Sequence, residues 1–297
     1  MIPFLHLGPI NLPTFGLMVA TAMFCSYFLL AADLRRRAAA GTLPPSPSGR
    51  SIDAETLVAI PSLVGIVGAK LYHVLETPRD LLANPLSEIF STYGFAWFGG
   101  LIAGLAAFIY LGRKFRVPIL QLFDIASPAC ALGYGVGRIG CLLSGDGDYG
   151  VPTSLPWGMS FPNGVVPTTA RVHPTPIYEF LAALLITGIL WRLGSRQIAP
   201  AARQFSSSAQ PSSSHALRSH DSNSGSTASR PRLPNGAIFA WYLILTGIAR
   251  FLVEFIRINP RSFFGLTNAQ AASLLSILLG AALLFALYKR SPPHVAH

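Results

Sequence analysis

Residues 133–150 read GYGVGRIGCLLSGDGDYG, in which a single permanent cation, Arg138, lies among seven glycines. Two more fragments carry charge in apolar surroundings: HPTPIYE at 173–179 and RFLVEFIR at 250–257. A guanidinium is a planar fork that suits two oxygens of a phosphate. Arg250, Glu254 and Arg257 are spaced i, i+4, i+7, which on a helix is one face. Glu179 follows a proline-rich helix start, and His173 stands just before it as a candidate general base. Together these residue types point to binding, and chemistry, at an anionic headgroup.

The elements that must hold them are membrane helices. The 297-residue chain is 51% hydrophobic and 11% charged, under half the charge of an ordinary soluble domain. A span needs about 20 apolar residues. Seven stretches qualify: 13–32, 54–75, 94–112, 119–143, 175–193, 236–257 and 268–288. Pro61 and Pro128 fall inside two of them, which membrane helices tolerate. The expected fold is therefore an all-α integral membrane bundle of about seven helices, one domain over 1–297.

The net charge of +10 is mostly topological. The connections 33–53, 113–118, 194–235 and 289–297, with Arg192, carry fifteen Lys and Arg, against Arg79, Arg171 and Arg261 on the other side. The positive-inside rule then puts the N-terminus outside and the C-terminus in the cytoplasm, and no nucleic-acid partner is implied. Four cations remain within the spans or at their outer ends: Lys70, Arg138, Arg250 and Arg257. At 1.5 Å per residue, Lys70 and Arg138 lie roughly 8 Å, and Arg250 roughly 10 Å, from the outer ends. Glu179 and Glu254 share that level. Buried charge costs at least about 2.5–3.5 kcal/mol in mid-membrane, so such a set reads as functional, the alternative being structural ion pairs in which Arg250, Glu254 and Arg257 neutralise one another. Four cations against two anions leave two positive charges for an anionic ligand.

Several other features exclude more than they propose. Gly135, Gly137 and Gly140 spell GxGxxG, but they end a membrane helix and are not a dinucleotide fingerprint. Instead Gly137 and Gly140 flank Arg138, where glycine permits close helix approach or unwound backbone near a headgroup. Gly99, Gly100 and Gly104 suit similar packing on the third span. Cys25, Cys130 and Cys141 have no ligand spacing, so neither metal nor cofactor is expected. The first sixteen residues lack Lys, Arg and a cleavage site, and do not read as a signal peptide. Residues 195–235 form a serine-rich insert, with eleven serines between Ser206 and Ser229, expected to be a flexible cytoplasmic linker. The loop 144–174, with Trp157, Met159 and Phe161, is expected to anchor at the interface or to cover a site.

The order and spacing of PTFGLM (13–18), GAKLYHVLE (68–76), FGGLIAG (98–104), GVGRIG, HPTPIYE and RFLVEFIR resemble the prolipoprotein diacylglyceryl transferase family of bacterial inner membranes. The resemblance covers nearly all the chain outside the insert. It implies a multi-pass inner-membrane enzyme that moves the diacylglyceryl group of phosphatidylglycerol to the lipobox cysteine of prolipoprotein signal peptides, with glycerol phosphate leaving. It implies phosphate-binding roles for Arg138 and Arg250, with Glu254 and Arg257 beside them, and a role for Gly150. By the same alignment Lys70, Phe98, Gly99, Gly100, Cys141 and Glu179 belong to the lipid-binding set. The chain departs from the family pattern at Phe98 (a histidine), Phe15 (an aromatic hydroxyl), Cys141 (an asparagine) and Lys70 (an arginine). Ser144-Gly145-Asp146 replaces Asn-Gly-Glu, with one extra residue before Gly150.

Transfer to a thiol asks for a thiolate and for neutralisation of charge developing on the leaving phosphate. Arg138 and Arg250 would supply the second. Asp146, Asp148 and His173 are candidate bases, while Cys141 reads as a small packing residue, with a covalent nucleophile as the alternative. Two other readings stay open: a diverged relative that binds anionic lipid with another acceptor or no activity, and a transporter with charges near the midplane.

Overall fold

The computed structural model describes residues 2–8, 10–44, 52–90, 96–207, 233–262 and 264–290. Each of the seven apolar stretches overlaps a helix among the described residues, although the sixth stretch, 236–257, outruns its helix. In chain order the elements are β1 (Phe4–Leu7), β2 (Ile10–Pro13), α1 (Thr14–Ala39), α2 (Ala54–Glu76), the short α3 (Pro78–Ala83) and α4 (Pro85–Phe90), α5 (Trp97–Lys114), α6 (Ile119–Ser144), β3 (Met159–Phe161), β4 (Thr168–Val172), α7 (Thr175–Ser207), α8 (Ala237–Val253) and α9 (Asn268–Arg290). Among the described residues, α1, α2, α6, α7 and α9 are long and apolar enough to cross a membrane, and α8 is a shorter apolar helix. The chain is a multi-pass helical membrane protein.

Two antiparallel hairpins depart from the all-α expectation, β1 with β2 and β3 with β4. Both are too short to leave an alternating pattern that stands out from a loop. Phe161 is almost wholly buried and stacks on Tyr149, which fixes β3–β4 over the end of α6.

The ends of the bundle differ in chemistry. At the basic end, Leu30 and Leu34 of α1, Leu57 of α2, Leu111 of α5 and Leu122 and Ile125 of α6 form one apolar cluster. Beside it runs a buried polar chain. Arg37 donates to Asp33 at 2.7 Å and to Gln197 at 2.9 Å, and Gln197 donates to Asp124 at 2.9 Å. Asp124 caps the next helix from outside it, accepting from the Gly236 amide at 2.7 Å and the Phe239 amide at 2.8 Å. Those amides open α8 and have no partner within it, so a carboxylate from α6 satisfies both. Residues 195–207, expected in the linker, continue α7 as helix, and Gln197 is buried in this polar chain. Residues 208–232 lie outside the described residues.

Glycines set one helix pair. A Cβ on Gly68 of α2 would lie 2.3 Å from Ala103 Cβ, and one on Gly99 of α5 would lie 2.4 Å from the Gly68 carbonyl oxygen. Gly65 and Gly100 repeat the contact one turn along, so α2 and α5 touch backbone to backbone. The other end of the bundle, where α6 stops and α7 starts, holds the charged residues.

Candidate headgroup site

Arg138 is carried by the last turns of α6, which stay helical through GVGRIG. The backbone does not unwind there. Gly135 packs on Ala183 of α7 too closely for a side chain, and Gly140 packs tightly on Phe15 and Met18 of α1. Gly137 is different, since a Cβ there would meet nothing within 4 Å. Close packing thus accounts for two glycines of the motif, and open surface beside Arg138 for the third.

Beyond Ser144, Gly145 turns left-handed at φ 61° and ends the helix. The chain reverses through Asp146, Gly147 (φ 92°) and Asp148, whose amide donates to Asp146 at 3.2 Å. The Thr175 hydroxyl at the start of α7 donates to the Asp148 carbonyl. Gly150 then bridges to Arg257 in antiparallel fashion and donates its amide to the His173 carbonyl at 2.8 Å. A Cβ on Gly150 would stand 2.5 Å from the Ile256 carbonyl oxygen, so this crossing needs glycine. Gly150 therefore serves as a joint that brings the loop, α7 and the segment after α8 together.

Six charged side chains meet at that joint. Arg138 pairs with Asp148 and, at 2.5 Å, with Glu179. Arg250 pairs with Glu179 at 2.7 Å and Glu254 at 2.9 Å. Arg257 pairs with Asp148, with Glu179 at 3.5 Å and with Glu254 at 3.8 Å. Tyr134 donates to Glu179 at 2.7 Å, and Asn259 donates to Glu254. Glu179 is 3% exposed and Glu254 not at all, whereas Asp148 keeps 30% of its side chain exposed. Arg138 Nε and Arg257 Nη1 are buried without a directed hydrogen bond, so these guanidiniums are held partly by charge alone.

This geometry corrects two expectations. Arg257 does not lie on the helix face of Arg250 and Glu254, because α8 ends at Val253 and the chain turns through Glu254 to Ile256. It reaches the cluster through its bridge to Gly150 instead. Lys70 matches the others in depth and is carried by α2, whose main packing partners are α5 and α1. Asp148 joins the three arginines and two glutamates in the ion-paired set. The surplus of two positive charges is then gone: three guanidiniums face three carboxylates. Gly99 and Gly100 make the α2–α5 contact, as the close-packing reading of the third span expected, and Phe98 is exposed beside them.

The remaining candidates surround the cluster. Cys141, nearly buried, lets its sulfur accept from Arg138 at 3.3 Å, a contact beyond simple packing. Its Sγ and carboxylate oxygens of Asp146 and Asp148 lie within 4.8 Å of one another, but Asp148 is already committed to two arginines. Burial alone would raise the Asp148 carboxyl; Arg138 and Arg257 outweigh it and hold the group below the usual carboxylate range. That makes Asp148 a poor base. His173 sits part-buried with Nδ1 3.2 Å from the Tyr178 hydroxyl, which accepts from Trp157 Nε1 at 2.8 Å. Tyr134, Tyr178 and the counter-charge role of Asp148 escaped the sequence reading. The one available signal was the acidic GDGD directly after an arginine-bearing helix.

The chain matches the family model described as prolipoprotein diacylglyceryl transferase over residues 3–209 and 224–286. It is 30% identical to the phosphatidylglycerol–prolipoprotein diacylglyceryl transferase of Bordetella avium, covering 96% of this chain and 94% of that one. The enzyme of the same name from Clostridium tetani is 28% identical, over 90% and 89% of the two chains. That from Pseudomonas fluorescens is 28% identical, over 97% and 94%.

Proposed function

The chain belongs to the prolipoprotein diacylglyceryl transferase family, and from that premise we propose that it transfers the diacylglyceryl group of phosphatidylglycerol to the lipobox cysteine thiol of prolipoproteins. The observation that carries this is the meeting of Arg138, Arg250 and Arg257, from two helices and a turn, around shared carboxylates at one end of the bundle.

Seven helices cross the bacterial inner membrane in this reading. The end with Arg36, Arg37, Arg113 and Lys114 lies in the cytoplasm, and the cluster faces outward with the N-terminus. A lipid phosphate then lies level with the guanidiniums while its acyl chains remain among exposed apolar residues such as Phe98, Leu101 and Ile102 of α5. Exported prolipoproteins present their cysteine on the same side.

The step forms a carbon–sulfur bond at a glycerol carbon and breaks the bond from that carbon to the phosphate oxygen. The electron pair leaves with glycerol phosphate, and the thiol proton passes to a base. Negative charge therefore grows on the phosphate during reaction. Arg138 and Arg250 stabilise it there, as donors already oriented by Glu179 and Glu254, an effect typically worth about 3–4 kcal/mol per donor. His173, oriented by Tyr178, is the candidate proton acceptor. Gly137 leaves room on α6 for the headgroup beside Arg138.

The test is direct. Purified protein is incubated with phosphatidylglycerol and a lipobox peptide, and the peptide mass is measured. A diacylglyceryl adduct made by the wild type and lost in Arg138→Ala supports the proposal. Lipid binding with no adduct would instead identify a relative that has lost transfer, as Phe98 in the family's histidine position invites one to ask.

A further inference from the structure

We infer that Asp148 decides which headgroup charge the site admits: its carboxylate holds the anion position between Arg138 and Arg257 and is exchanged for one negative charge, that of a phosphodiester. The inference rests on the headgroup reading given above.

The three carboxylates of the cluster are not equivalent. Glu179 is shared by all three arginines and Tyr134, and Glu254 is held by Arg250, Arg257 and Asn259. Both are buried. Asp148 has the most exposed side chain of the three and gives one oxygen to each of two guanidiniums from different elements. That is the bridging mode in which two phosphate oxygens are held. Asp148 is thus bound as a headgroup would be.

The exchange is feasible locally. Arg138 keeps Glu179, and Arg257 keeps Glu179 and Glu254, so neither guanidinium loses its placement when Asp148 turns away. The Asp148 backbone is fixed through its carbonyl by Thr175, while Gly147 on its other side adopts φ 92°. Rotation of one short side chain toward its exposed side is sufficient.

Charge then selects the ligand. Counted over the ion-paired groups, the cluster is balanced with Asp148 engaged, and one positive charge is uncovered without it; the Asp146 carboxylate lies within 4.8 Å of Asp148 but pairs with none of the three arginines. A monoanionic phosphodiester restores the balance. A zwitterionic headgroup brings an ammonium as well, with no net charge to offer. The departing glycerol phosphate, a monoester near −2 at neutral pH, exceeds what the cluster balances, so return of Asp148 favours its release.

The experiment uses the full chain in nanodiscs of phosphatidylcholine with phosphatidylglycerol or phosphatidylethanolamine added, and reads bound lipid by native mass spectrometry. Asp148→Asn is expected to bind phosphatidylglycerol about fivefold to tenfold more tightly, since a half-exposed charged hydrogen-bond competitor has been removed. Binding of phosphatidylethanolamine is expected to be unchanged, and glycerol phosphate to inhibit transfer at lower concentration. Asp148→Ala should behave alike. Equal or weaker phosphatidylglycerol binding in both variants overturns the inference and leaves Asp148 a strut for the arginines. Failure of both to fold overturns it too, because Glu179 and Glu254 are held to be sufficient. Wild-type protein that binds no phosphatidylglycerol sinks the headgroup reading itself, a separate result from binding that the substitutions do not tighten.

Discussion

Replacing Glu179 with glutamine changes the charge of the cluster while nearly preserving its shape. Glu179 is 3% exposed and stands 2.5 Å from Arg138, 2.7 Å from Arg250 and 3.5 Å from Arg257. Water screens almost none of this, so no discount for exposure applies. Removing one partner of a buried ion pair costs about 3–5 kcal/mol. The amide oxygen can still accept from Tyr134, which places the expected loss near the lower limit, about 3 kcal/mol. At about 2.1 cal/mol/K per residue over the 297-residue chain, that corresponds to a fall of about 5 °C in unfolding temperature. The assay is thermal unfolding in detergent micelles, followed by intrinsic fluorescence. The account adds a second, more specific expectation: the variant has three guanidiniums against two carboxylates, so added phosphatidylglycerol should raise its unfolding temperature more than that of the wild type. A fall under about 2 °C, or equal lipid stabilisation of both proteins, refutes the claim that Glu179 is the hub of a buried charge cluster.

Other predictions follow from particular contacts. Gly99→Ala should lower stability by about 1–3 kcal/mol, because its Cβ would meet the Gly68 carbonyl and Tyr72, whereas Gly137→Ala should not destabilise; equal effects in thermal unfolding contradict the assignment. Asp124→Asn should speed hydrogen exchange in the first turn of α8 and cost about 1–3 kcal/mol, since one of two backbone amides loses its acceptor; unchanged exchange there counts against the cap. The Asp148 carboxyl is depressed in the folded chain, so its ion pairs contribute in full above the ordinary aspartate range. That contribution disappears as pH falls through the lowered value, and wild type should lose more stability to acid there than Asp148→Asn. Parallel pH profiles would contradict the pairing.

Much of the cluster was legible in the chain because charge is rare in its spans. Arg138, Glu179, Arg250, Glu254 and Arg257 stand out in apolar runs, and the structure brings all five together. Asp148 did not stand out, since an acidic residue in a loop is unremarkable until the fold sets two guanidiniums against it. Lys70 shows the converse. Depth along a span is readable from sequence, but the direction a helix faces depends on its neighbours, and the α2 glycines turn that helix toward α5. The end of α8 was hidden for a related reason: Phe255 and Ile256 continue the apolar pattern, while the bridge from Gly150 to Arg257 ends the helix by a long-range contact. The polar chain from Asp33 to Asp124 was equally invisible, because it joins residues far apart in sequence.

In the proposed function, guanidiniums from separate elements form one binding centre for an anionic lipid headgroup. Native mass spectrometry of the purified protein from mixed bilayers, with Arg138→Gln and Arg250→Gln alongside, measures this without requiring turnover. The wild type is expected to retain phosphatidylglycerol over phosphatidylcholine, and either substitution to abolish the preference. Equal retention of both lipids by the wild type, or an undiminished preference in both variants, would contradict it.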